Sequence, residues 1–145
     1  MDGVGDAVAV VCDDRPAVRA PVVRLLLATG FVVAATTEDF AELRQAVSTH
    51  EARVAVVALP LTGMPGLRAV RALRAQSPGC EVVLLSSSGS LASAAVAVGA
   101  HALVPERDLR VLRTVLLELA AARALPRLPH QRADAAASVS TNPSS

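Results

Sequence analysis

Residues 8–19 read VAVVCDDRPAVR: five apolar residues in a row, two adjacent carboxylates, a cation, then a proline. An apolar run without alternation is the pattern of a strand buried on both faces, as in a parallel sheet covered by helices. The proline fixes φ and lacks an N–H, which suits the first turn of a helix. Strand, acids and helix thus follow one another within twelve residues. That order places Asp13 and Asp14 at the carboxyl end of a strand.

The same alternation continues along the chain. Short, Val-rich runs occupy 7–12, 31–35, 54–59, 81–85 and 102–104. Between them lie helical patterns. Residues 16–29 run from Pro16 to a stop at Gly30, residues 38–49 follow Thr36 and Thr37, and residues 67–76 precede a Ser-Pro-Gly turn. Asp39 stands three positions after Thr36, the spacing of a capping box. A short stretch, 91–98, closes at Gly99, and a last helix is predicted over 108–125. Five strands alternating with five helices define an α/β chain of the (βα)5 type, a doubly wound parallel sheet.

With 145 residues, one core is the working expectation. We place a single domain over 1–125 and read 126–145, rich in Pro, Ser and Ala, as a flexible tail or truncated linker. Hydrophobic residues make up 52% of the chain and charged residues 19%, enough apolar surface for an ordered core. Aromatics are 1%, which removes the stacking platforms of single-strand nucleic-acid binders. A net charge of +1 offers no general field for phosphate backbones or anionic lipid. All 14 basic residues are Arg, so mechanisms that need a lysine are excluded. No apolar run near the start is long enough for a signal peptide or a membrane span, and a cytoplasmic location is the default.

In open α/β sheets a site lies beyond the carboxyl ends of the strands, where strand order reverses. Asp13 and Asp14 sit at one such end and have two readings. Paired carboxylates hold hard cations such as Mg2+ beside a phosphate, and an Asp before a helix can also bind its free N–H groups. Cys12 is expected to be an inert core thiol, and a bridge to Cys80, at the opposite end of the sheet, fails on distance. His50, His101 and His130 show no ligand spacing.

The stretch 8–19 resembles the opening of a bacterial response-regulator receiver domain. ARVAVVALPLTGMPGLRAVRALR, with Gly63, Met64 and Gly66, is similar to that family's third strand, loop and helix. EVVLLSSSG is similar to its fourth strand, and AVAVGAHALVPERDL to its fifth strand and last helix. The likeness is greatest to receivers that precede a LuxR-type DNA-binding domain. It implies a flavodoxin-like, CheY-like sheet of order 2-1-3-4-5 and phosphoryl transfer to an Asp at the end of the third strand.

At that phosphoacceptor position stands Ala58, and the Asp residues of the chain, at 2, 6, 13, 14, 39, 108 and 134, offer no neighbour to replace it. The family's strand-five lysine matches Glu106, a reversed charge, and its switch aromatic matches Leu103. Ser86 matches the hydroxyl that meets a phosphoryl oxygen, and a turn before the short helix is its plainer reading. The expectation is a degenerate, non-enzymatic receiver of two-component signalling with vestigial Asp13, Asp14, Ser86, Leu103 and Glu106. It would bind Mg2+ weakly at Asp13 and Asp14 and signal through a protein partner or a homodimer formed by the last helix. DNA contact would need a further domain, absent from this sequence, as in a transcriptional regulator. The alternative is a small-ligand sensor using the room left near Asp13, Ala58 and Ser86. An enzyme or flavin carrier ranks last, because acids stand where a flavin phosphate would sit and no Gly-rich loop follows the first strand.

Overall fold

The computed structural model describes residues 8–124. The predicted tail, 126–145, and His130 lie outside them. Five strands run β1 (Val8–Cys12), β2 (Val32–Thr37), β3 (Val54–Ala58), β4 (Glu81–Ser86) and β5 (Ala102–Pro105). The helices are α1 (Pro16–Ala28), α2 (Phe40–His50), α3 (Gly66–Gln76), α4 (Ala92–Ala97) and α5 (Leu109–Ala124), with a 3-10 turn over Gly89–Leu91 before α4. All strand pairings are parallel. Their order, β2-β1-β3-β4-β5, is the one the resemblance implied.

Alternate residues of each central strand enter opposite halves of the core. Val10 and Cys12 of β1 face the cluster that holds Leu43 and Val47 of α2, Val70 and Leu73 of α3 and Ala95 of α4. Ala9 and Val11 face Val22 and Leu26 of α1 and Leu112, Leu116 and Leu119 of α5. Two helices therefore cover one face and three the other, which is why β1, β3 and β4 tolerate no polar side chain along their centres. The strand at 31–35 departs from the doubly buried expectation. It becomes the edge strand β2, and its Val32 is 45% exposed.

The capping box predicted from Thr36 and Asp39 is also corrected. Thr36 and Thr37 pair with Val11 and Cys12 as the last residues of β2. Thr37 Oγ1 donates to the Val11 carbonyl at 3.1 Å. Branched side chains favour the strand, so the chain stays extended and the cap falls to Asp39, which accepts from Glu42 N at 2.9 Å. Glu42 in turn accepts from Glu38 N at 2.8 Å. Gly30, with φ +101°, takes the left-handed conformation that ends α1, as its sequence position predicted.

Candidate functional site

Parallel strands all end on one edge, so Asp13 and Glu106, which follow β1 and β5, and Ala58 and Ser86, which close β3 and β4, come together there. The sheet fixes their spacing. Asp13 N donates to Thr37 O at 2.9 Å, Leu59 N to Leu85 O at 2.8 Å and Glu106 N to Ser86 O at 2.9 Å, each continuing a ladder one residue past its strand.

The two acids of the predicted pair have different fates. Asp13 is 5% exposed, whereas Asp14 is exposed to solvent. Asp13 Oδ1 accepts from Arg15 N at 3.0 Å and from Arg15 Nε at 3.1 Å. Its Oδ2 lies 3.5 Å from Arg15 Nη2. Asp13 therefore does bind a free N–H at the start of a helix, that of the residue flanking α1, but it also binds the guanidinium. Arg19 Nη1 donates to the Asp13 carbonyl at 3.0 Å and lies 3.6 Å from Glu38.

Arg15 Nη2 continues to Glu106 Oε1 at 3.0 Å. The Glu106 side chain is only 15% exposed, so its reversed charge is set largely out of water and answered by this guanidinium. The hydrogen bonds that Arg15 donates to Glu106 first, and to Asp13 second, push its guanidinium well above its ordinary range, fixing it as a cation. Sequence reasoning missed Arg15. Its signal was indirect: an acid at a sheet edge needs a partner, but the sequence does not say which of 14 arginines supplies it.

Ala58 ends β3 at 4% exposure and packs in the cluster on the α1 and α5 side. A groove of about 440 Å3 beside Ser86 is lined by Leu59, Leu61, Met64, Leu67, Ser86 and Leu91 among others. Gly66 begins α3 beneath Leu59, where any Cβ would collide with the leucine side chain. Ser86 is 6% exposed, and its Oγ accepts from Ser88 N at 3.1 Å. Leu103 is partly buried against the cluster on the α2–α4 side. Burial raises the Cys12 thiol to about 11, partly countered by its hydrogen bond with Thr37; Cys12 and Cys80 are both buried and neither is in a disulfide.

The sequence matches the family model of the response regulator receiver domain over residues 9–107. The chain belongs to the receiver-domain family. Its receiver fold is similar to that of the NarL receiver of Mycobacterium tuberculosis, at 26% identity and TM-score 0.69, over 84% of this chain and 98% of that one. A LuxR-family response regulator of Aurantimonas sp. SI85-9A1 gives 23% identity and TM-score 0.70, over 79% and 86% of the two chains. The RcsB regulator of Salmonella typhimurium gives 17% identity and TM-score 0.74, over 85% and 64%. No curated protein matches the sequence significantly.

Receivers in general bind Mg2+ at the phosphorylation site. The residues of this receiver do not fit that ion. Magnesium asks for close octahedral oxygen ligands, yet Asp13 and Glu106 both engage Arg15 and Asp14 points to solvent exposure. Among the described residues, no group of three or more His, Cys, Asp or Glu could hold a metal. No helix among them is long and apolar enough to cross a membrane.

Proposed function

We propose that this receiver is a cytoplasmic signalling module that works without Asp phosphorylation and passes its signal by protein contact. The observation that carries the reading is Ala58 at the end of β3, buried and without a nucleophile. Glu106 supports it, since an anion there opposes the charge of a transferring phosphoryl group and no lysine exists elsewhere in the chain. The protein is accordingly read as a pseudo-receiver and not as an enzyme.

The contact face we favour is α5. Leu112 and Leu116 dock it to the sheet, while Leu109, Val111 and Leu117 remain about 40% exposed, at 40%, 41% and 40%. A second copy or a protein partner would cover them. Similarity to receivers of LuxR-family regulators fits a role in transcription, with DNA touched only by a domain other than the one described. Sedimentation velocity with and without a small phosphodonor and Mg2+ tests the reading. The distribution is expected to be the same in both; a shift that requires the phosphodonor overturns it.

A second reading, a small-ligand sensor, draws support from the apolar groove beside Ser86. A ligand of the folded state raises the melting temperature, so a thermal-shift screen separates the two.

A further inference from the structure

We propose that Arg15 is the resident cation of this site, built into the chain in the place of an exchangeable metal, and that its guanidinium keeps divalent ions off Asp13 and Glu106. The proposal concerns the same edge of the sheet as the functional reading and shares Glu106 with it, but it rests on Arg15 and Asp13 and not on Ala58, and can fail separately.

The resemblance assigns a cation to the end of β5 and acids to the end of β1. Here Glu106 stands at the end of β5 and Arg15 follows the acids of β1. The acid and the cation answer each other. One planar guanidinium reaches Asp13 Oδ1 through Nε at 3.1 Å and Glu106 Oε1 through Nη2 at 3.0 Å. A rigid fork of five donors can serve two carboxylates at once, which a lysine ammonium on a flexible stem does less well.

The backbone pre-sets the arrangement. Arg15 N already donates to Asp13 Oδ1 at 3.0 Å, so the side chain starts from a main chain tied to the acid it must meet. Arg19 holds the Asp13 carbonyl from the first turn of α1 and completes a two-arginine clamp. A metal at Asp13 would have to displace Arg15 from a carboxylate whose side chain is 3% exposed. It would also approach a fixed positive charge at contact distance. Unlike a metal, this cation cannot dissociate, so the ends of β1 and β5 remain tied whatever the divalent ion concentration.

The experiment compares Mn2+-induced broadening of amide NMR signals in the wild-type chain with that in Arg15→Gln and Arg15→Met. Arg15 is 42% exposed, so both variants are expected to keep the dispersed spectrum of the folded state, which the same spectra report. The wild type is expected to show no selective broadening near residues 13 and 106. Both variants are expected to gain it, with apparent affinity at least about tenfold higher once the opposing charge is gone. Glu106→Gln, which leaves Arg15 on Asp13, is expected to behave as wild type. Equal behaviour of wild type and both Arg15 variants, whether all bind or none does, overturns the proposal. Selective Mn2+ binding by the wild type alone also overturns it, and leaves the missing acceptor at Ala58 untouched.

Discussion

Arg15 and Glu106 stand 91 residues apart in the chain and 3.0 Å apart in space, Nη2 to Oε1. The pair joins the segment after β1 to the segment after β5, across the ends of β3 and β4. Receiver geometry brings charged groups together at this edge, and here they meet as a closed ion-pair network.

The network has a weak arm and a strong one. Arg15→Ala leaves the buried Asp13 carboxylate without its main partner and is expected to cost about 1–3 kcal/mol. Glu106→Ala removes a pair that is half open to water on the Arg15 side and is expected to cost under about 1 kcal/mol, less in high salt. Urea denaturation of the single and double variants in low and high salt checks both values.

The pH dependence of stability isolates one thiol. The chain has no Lys and no Tyr, so cysteine is the side-chain type left to titrate in the alkaline range below arginine. Cys12 rises from 9.0 to about 11 on folding, chiefly through burial. Its neutral form is therefore favoured by the fold. That contribution is complete below pH 9 and is lost as pH rises through 11. Urea midpoints are expected to fall over that window, and Cys12→Ala is expected to flatten the fall. At pH 8 a thiol reagent is expected to react with the native chain only as fast as it unfolds.

The two sides of α5 predict opposite outcomes. Leu112 and Leu116 are fully buried against the sheet, so Leu112→Ala or Leu116→Ala is expected to cost about 2–5 kcal/mol. Leu117→Ser changes an exposed position and is expected to shift stability by no more than about 0.5 kcal/mol. Its effect is expected instead on self-association, read as a smaller fraction of dimer in sedimentation at high concentration. A wild-type chain that stays monomeric there removes α5 as a self-association face.

The sheet was readable because its strands are apolar without alternation, and because Pro16 and Gly30 mark the two ends of α1. What escaped was set by tertiary position. The order 2-1-3-4-5 implied by the resemblance already put the second strand at the edge, but nothing in residues 31–35 says that Val32 is exposed there. Thr36 and Thr37 suit a cap and a strand alike, and pairing with Val11 and Cys12 decided for the strand. At the site, Ala58 and Glu106 were visible as departures from a family pattern. Arg15 was not, because its role exists only through a contact across most of the chain.

The central claim is that this receiver takes no phosphoryl group on Asp, and intact-mass measurement after incubation with a small phosphodonor and Mg2+ tests it most directly. Wild type is expected to show no adduct. Ala58→Asp alone is expected to give little, because Glu106 still opposes the charge of a transferring phosphoryl group and no lysine answers it. Ala58→Asp with Glu106→Lys and Arg15→Gln, which also clears the cation from Asp13, is expected to gain an adduct that base removes, as an acyl phosphate requires. A stoichiometric, base-labile phosphoryl adduct on the wild-type chain would contradict the account.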